Sequence, residues 1–411
     1  MSGPEITKRD AERIGRIQDA LRAGQLDAVM VSLPRHVLLL TGYCPVVGAS
    51  IALCSSDGEV GLLAPQDEQQ FVMRGWADHV EYFQPASLDK ISSLSESVLQ
   101  PLRKLISRFK FSPAQAFGIS CGLASQPSPY AAMHIFGEAL RSISAEVLRG
   151  ATLVQAENLL ERLSSVKTER ELSRIRTACA IASGGMENGR ANLVAGHSEM
   201  EIAAALEHKF AAAAASAGLD RQHAFLHCMS GPNSAHAHYA YAHSSLRRLG
   251  KRDLALIHCN SHVDGYWTDI TRTYCLDDPE DQQKRMFQAV LEARDAAIQM
   301  VRPGARASEV DQAARRTIEK HGFRDAFKHS TGHGVGFEAI NAGALPRIHP
   351  ASDDVLEAGM VFNIEPAIYL EGFGGVRHCD MVAVHSSGAE LLTSFHSGIE
   401  QVTGGRQMRA A

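Results

Sequence analysis

What the sequence lacks narrows the field before any motif is considered. Its eight cysteines, at 44, 54, 121, 179, 228, 259, 275 and 379, contain no CxxC pair and form no dense framework. In a chain of 411 residues that pattern reads as reduced thiols in a reducing compartment rather than as a disulfide scaffold. No run of 18 apolar residues exists, so no membrane span is expected. The first residues, MSGPEITKRDAERIGRIQ, are polar and carry no apolar core of the kind a secretory signal needs. No glycine-rich phosphate loop follows a strand, so nothing suggests a nucleotide site. Neither charge sign dominates: 46 acidic against 41 basic residues leave a formal charge of -5. That balance gives no support to nucleic-acid binding or to a basic membrane patch.

Hydrophobic residues are 45% and charged residues 21%, the proportions of an ordinary globular protein long enough for two domains. Histidine is the exception. Of 19 in the chain, 16 lie between His197 and His396. A side chain that binds metals and moves protons near neutral pH is crowded into the second half.

The first half alternates short apolar strands with amphipathic helices. A helix is expected over 5–24 and a strand over 27–32, with VLLL running to Gly42. Strands over 51–56 and 59–64 are joined by a Ser-Asp-Gly turn. A helix begins at QDEQQFVMRG, and VEYF is a short strand. Residues 88–108 form an amphipathic stretch in which Pro101 is expected to break or kink the helix. FGIS is another strand, and 129–143 another helix. This is a layered α/β domain, expected over 1–155. The stretch 151–167 connects to a second unit. Thr168 followed by Glu171 is a capping-box signature that opens a long helix. A second, alanine-rich helix is expected over 198–217. Residues 223–275 are strand-like and rich in His, Asp and Thr. Helices return at 280–300 and 307–321, and two strand-like runs follow between 360 and 385. Helices flanking a largely antiparallel sheet make this second unit, 156–411, an α+β domain.

Four clusters in that unit carry the chemistry. They are SGPNSAHAHY with His236 and His238; HCNSHVDGYWTDITRTY with His258 and Asp269; HSTGHGVGF with His329 and His333; and the pair NIEPAIY and GGVRHCDM with Glu365, Arg377 and Cys379. Asp, Glu, His and Cys are the side chains that bind metals, but no compact zinc spacing is present.

The order and wording of the clusters are more specific than their spacing. The chain resembles the pita-bread hydrolases: methionine aminopeptidase, aminopeptidase P, prolidase and creatinase. GYWTDITRT is similar to that family's GYxxDxTRT, TGHGVGF to its GHGIG loop, EPAIY to its EPGIY, GGVRHCDMVAV to its GxRxEDxVxV, and SGPNSAHAH to its SGxNxxxxH. LDAVMVSLPRHVLLLTGY resembles the N-terminal domain of the prolidase and creatinase branch, and VKTERELSRIRTACAIA the helix that opens the catalytic domain. The resemblance covers nearly the whole chain. It implies an α/β creatinase-like N-terminal domain before a pita-bread catalytic domain.

The resemblance also implies a metal centre held by two Asp, one His and two Glu. Three of those positions carry over as Asp269, His333 and Glu365. The other two depart. Eleven residues before Asp269, where an Asp is implied, stands His258; two residues after Arg377, where a Glu is implied, stands Cys379. His and Cys are competent ligands, softer than carboxylates. Losing carboxylates also removes charge that holds two close cations together. One divalent ion (Zn, Mn, Fe or Co), two or none all stay open. His238 and His329 correspond to substrate-side histidines and Arg377 to an arginine beside the last ligand. A further histidine implied at position 340 is replaced by Ile340.

The function so implied is a cytoplasmic, homodimeric hydrolase. It would cleave an amide C–N bond in a small substrate such as an Xaa-Pro dipeptide or short peptide. Water activated at the altered metal site would attack, with Glu365, His238, His329 and Arg377 taking part. Two alternatives stand beside it: a creatinase-like or ectoine-hydrolase-like enzyme acting on a non-peptide amide or amidine, and a non-catalytic binding protein on the same fold.

Overall fold

The computed structural model of the protein describes residues 8–111, 115–119, 137–239, 243–341, 343–393 and 395. The chain divides into two compact units, Met1–Ser164 and Ser165–Ala411. The division falls nine residues beyond the 155/156 boundary read from the sequence, because the helix Glu157–Ser165 belongs almost entirely to the first unit.

The first unit is a six-stranded mixed sheet in the order β4-β3-β2-β1-β5-β6. Its strands are β1 (Ala28–Val31), β2 (Ile51–Ser55), β3 (Val60–Pro65), β4 (His79–Phe83), β5 (Ala116–Ile119) and β6 (Thr152–Gln155). Its helices are α1 (Ala11–Ala23), α2 (Pro34–Thr41), α3 (Gln69–Val72), α4 (Leu94–Ile106), α5 (Glu138–Val147) and α6 (Glu157–Ser165). VLLL lies within α2. Pro34 opens that helix, and Gly42, at φ 66°, closes it by donating its N–H to the Leu38 carbonyl. Pro101 does not end α4: Ser93 and Glu96 cap the helix reciprocally, and it buries Val98, Leu102 and Leu105. Of the helix expected over 129–143, residues 129–136 lie outside the described residues.

The second unit opens with α7 (Glu169–Gly189), where Thr168 and Glu171 make the expected capping box, and α8 (Glu199–Ser216). The two helices pack closely because α7 carries glycine where they meet. A Cβ on Gly185 would lie 2.4 Å from the Phe210 ring, and one on Gly189 2.4 Å from Leu206. Then come β7 (Gln222–Ser230), β8 (Leu254–Val263) and β9 (Tyr266–Cys275), an antiparallel sheet in that order. Asp264 and Gly265 join β8 to β9 with φ of 50° and 84°, the left-handed pair that a two-residue hairpin turn requires. After α9 (Asp281–Met300) and α10 (Ala307–Lys320) follow β10 (Val361–Ile364), β11 (Ala367–Leu370), β12 (Gly374–Arg377), β13 (Asp380–His385) and β14 (Gly388–Leu391). β13 lies between β10 and β14, and β11 pairs with β12. The apolar faces of α9 and α10 share one core with β10, β11 and β13. No helix among the described residues is long and apolar enough to cross a membrane.

One buried carboxylate ties these pieces together. Asp380, fully buried, accepts from Arg272 of β9 at 2.6 Å, Arg294 of α9 at 2.5 Å, Thr393 at 2.8 Å and the His378 ring at 3.1 Å. Two guanidiniums compensate a charge that could not otherwise be buried. Burial and the adjacent Arg272 hold His378 neutral, with its pKa pushed down to about 4. An unfolded histidine protonates near pH 6.5, so between those values the unfolded chain binds a proton that the folded chain does not. Stability contributed by neutral His378 is therefore present above about pH 6.5 and lost as the pH falls toward 4. Chemical unfolding from pH 7 down to pH 4 should show this loss in the wild type, and His378→Gln should flatten it. Parallel profiles for the two proteins would refute the assignment.

Candidate active site

Strand alternation selects the face that carries the site. In the β8–β9 ladder His258 is opposite Thr271 and Asn260 is opposite Asp269, so all four side chains leave the same side of the sheet. A backbone bridge then brings in the last cluster. Thr271 N–H donates to the Cys379 carbonyl at 3.3 Å, and Cys379 N–H returns a bond to the Thr271 carbonyl at 3.0 Å. The Cys379 thiol consequently meets Asp269. It donates to the Asp269 carbonyl at 3.2 Å and lies 3.7 Å from Oδ1.

His333 arrives by a second backbone pairing. The segment 331–335 runs antiparallel to β10: Glu365 N–H donates to Thr331, Asn363 N–H to His333, and Val335 N–H to Val361. Its glycines allow the approach. A Cβ on Gly332 would lie 1.9 Å from the Asn363 carbonyl oxygen, and one on Gly334 would lie 2.2 Å from that of Leu345. Buried Asp311 of α10 anchors the segment, accepting from Thr331 N–H at 3.0 Å and from its hydroxyl at 2.8 Å. The turn that leads to His238 has its own anchor. Glu199 of α8 accepts from Ser230, Asn233 and Ser245, which accounts for Ser230 and Asn233 of SGPNS.

The result is a cavity of about 650 Å³ lined by His238, His258, Asp269, His329, His333, Glu365 and Arg377, with Ile340 on its wall. Asp269 is the pivot. His333 Nε2 lies 3.6 Å from its Oδ2 and 4.0 Å from Glu365 Oε1, while His258 Nδ1 lies 3.7 Å from Asp269 Oδ1. Burial, then the charge of Glu365, raises the Asp269 carboxyl above the usual carboxylate range. Burial, then Arg377, holds His258 well below its ordinary value. Burial, then Asp269, pushes the Cys379 thiol well up. Burial thereby favours the neutral forms of His258 and Cys379.

Arg377 is the buried cation of the cavity. It donates to Thr271 Oγ1 at 3.1 Å, to the Ala237 carbonyl at 2.8 Å and to Tyr369 OH at 3.4 Å. It thereby fixes the backbone beside His238. Tyr369 in turn meets His329 Nε2 at 3.0 Å, and His329 Nδ1 donates to the Ser330 carbonyl at 2.8 Å. With Nδ1 carrying the proton, His329 Nε2 accepts from the tyrosine, so both nitrogens of this ring are engaged. His238 is half-buried and lies against Tyr239, with ring centroids 4.2 Å apart, while His236 is exposed. Tyr369, Thr271 and Asn363 were not singled out from the sequence. Tyr369 and Asn363 stand inside the NIEPAIY motif, but their partners belong to other segments.

Residues 173–386 match the model of metallopeptidase family M24. The chain belongs to the M24 metallopeptidase family. The Xaa-Pro dipeptidase of Pyrococcus horikoshii is 27% identical over 382 residues, 93% of this chain and 97% of that protein. That of Pyrococcus furiosus is 34% identical over 237 residues, 58% of this chain but only 65% of the relative. Among solved structures, the P. horikoshii prolidase superposes with a TM-score of 0.73 at 25% identity, covering 94% of this chain and 99% of that one. The P. furiosus prolidase gives 0.72 at 26%, covering 92% and 99%. These matches identify the two units as the prolidase architecture, an N-terminal domain before a pita-bread domain.

Membership in M24 implies use of a divalent metal, and the residues can be tested for it. The five positions read from the sequence meet, but among the described residues no group of three or more His, Cys, Asp or Glu side chains is arranged to hold an ion. The donor chemistry of Asp269, His333 and Glu365 nevertheless suits one cation. His333 Nδ1 donates to the Gly334 carbonyl at 3.2 Å, which leaves Nε2 as a lone pair facing two carboxylates. Thr271 Oγ1 accepts from Arg377 and lies 3.0 Å from His258 Nδ1, which leaves His258 Nε2 buried without a hydrogen-bond partner among the described residues. Cys379 acts as a donor toward Asp269. Gly332→Ala should displace His333 from Asp269, since the added methyl meets a backbone oxygen. A stability loss of about 1–3 kcal/mol or more is expected in chemical unfolding. An unchanged midpoint would show that the segment gives way.

Proposed function

We propose that the protein is a hydrolase of the aminopeptidase P and prolidase type. It cleaves the amide C–N bond of a small substrate such as an Xaa-Pro dipeptide. The observation that carries this reading is the meeting of Asp269, His333 and Glu365 with His238 and Arg377 around one cavity. The named relatives, Xaa-Pro dipeptidases or prolidases of two Pyrococcus species, support the substrate class.

Asp269, His333 and Glu365 would hold one divalent cation of the Zn, Mn, Fe or Co class. Bound there, such an ion lowers the pKa of a water and polarises the scissile carbonyl. Glu365, at the edge of the set, takes the proton of that water. Neutral His238 donates a hydrogen bond to the developing oxyanion or to the leaving nitrogen. Its pKa is lowered by burial, so this role needs no protonated ring. His329, with both nitrogens engaged, orients Tyr369 and through it Arg377, whose fixed charge stabilises the anionic cavity. Ile340 leaves one wall apolar. The reading carries with it a homodimer in the cytoplasm. The seven described cysteines are free thiols, the state a reducing compartment maintains.

Purified protein supplied with Mn²⁺, Co²⁺ or Zn²⁺ should hydrolyse Ala-Pro, and Glu365→Gln should lower kcat/KM by about 10²–10⁴-fold with its melting temperature retained. Turnover confined to non-peptide amides, or none with any of the three ions, overturns the proposal. At saturating Mn²⁺, Co²⁺ or Zn²⁺ the bound stoichiometry should be one ion per chain. In the double variant His258→Asp, Cys379→Glu it should rise to two, because the restored carboxylates supply the charge that a close pair of cations needs. A wild type that already carries two refutes the single-ion assignment.

A further inference from the structure

Asn363 lies in β10 with its side chain fully buried, beside the facing atoms of Asp269 and His333. Its Oδ1 accepts the His333 backbone N–H at 2.8 Å. That bond fixes which way the amide faces. Nδ2 then points at Asp269 Oδ2, 3.2 Å away, and at His333 Nε2, 3.4 Å away. These are the two atoms that would bind a cation, and the amide hydrogens lie against both. Turning the amide over would offer Oδ1 to an ion, but it would set Nδ2 against the His333 N–H, donor against donor. The orientation that satisfies the backbone is therefore the one that competes with a cation.

We propose that Asn363 is an internal competitor for the cation at His333 and sets the affinity of the site. Its amide hydrogens partly neutralise Asp269 and engage the single lone pair of His333 Nε2, so a cation must displace that hydrogen bond before it binds. The pocket is thereby stable without an ion and binds one weakly. This inference rests on the reading that Asp269, His333 and Glu365 take a divalent ion.

Calorimetric titration of the metal-stripped full chain with Mn²⁺, and separately with Zn²⁺, tests it without reference to turnover. Two uncharged substitutions are compared. Asn363→Ala removes the amide and leaves the His333 N–H without an acceptor. Asn363→Thr removes it too, but its hydroxyl can still accept that N–H and its shape suits a strand. Both should bind Mn²⁺ and Zn²⁺ at least about tenfold more tightly than the wild type, since each frees a hydrogen-bonded carboxylate and a ring nitrogen. A purely structural Asn363, needed only to place His333, predicts otherwise: weaker binding in Asn363→Ala and unchanged binding in Asn363→Thr. Equal or weaker binding in Asn363→Thr overturns the proposal. Asp269→Asn separates the two levels. If binding persists in that variant, the assignment of the ion to this pocket fails. If binding depends on Asp269 but is no tighter in the Asn363 variants, only the role of Asn363 fails.

Discussion

The cavity is organised around the cost of burying Asp269 beside Glu365. Two carboxylates near one imidazole repel each other, and removal from water makes each charge more expensive. The surrounding side chains reduce that cost in different ways. Asn363 and the Cys379 thiol donate to the Asp269 side, and Arg377 supplies a buried positive charge that acts on both carboxylates. Thr271 stands between Arg377 and His258 and passes the constraint to the β8–β9 hairpin. Little in the neighbourhood can change without altering this balance.

The backbone supplies the precision that the charges require. Asp269 and Cys379 are 110 residues apart, yet a single pair of N–H···O bonds between Thr271 and Cys379 sets their contact. The segment 331–335 reaches β10 because two glycines let main chain lie on main chain. Behind the site, Asp380 joins β9, α9 and β13 through Arg272 and Arg294, so the strand that carries Asp269 and the start of β13, next to Cys379, are held to one helix. Sites held by elements fixed in this way keep their geometry without loop rearrangement.

Much of this was legible in the residues themselves. The capping box at Thr168 and the ordered motifs marked out the second unit and named the side chains of the cavity. Other features were not legible, for identifiable reasons. VLLL has no periodicity that separates a buried strand from a buried helix, and Pro34 and Gly42 decide for the helix. Pro101 costs a helix one hydrogen bond, but α4 gains more from its capping box and buried face. Asn363 has no chemical signal of its own, since its meaning depends on partners 94 and 30 residues away. The engagement of both nitrogens of His329 likewise depends on Tyr369, which the chain brings in 40 residues later.

The sequence by itself determined the family-like order of motifs, the two-unit organisation and the departures at positions 258, 340 and 379, because these are properties of residue identity and spacing. Only the tertiary structure decided what the departures mean. It turns His258 and Cys379 toward Asp269 as neutral, hydrogen-bonded groups, and it sets an amide beside Asp269 and His333. Whether a side chain is a free ligand or an engaged donor depends on which atoms lie within about 3 Å of it, and folding alone brings those atoms together.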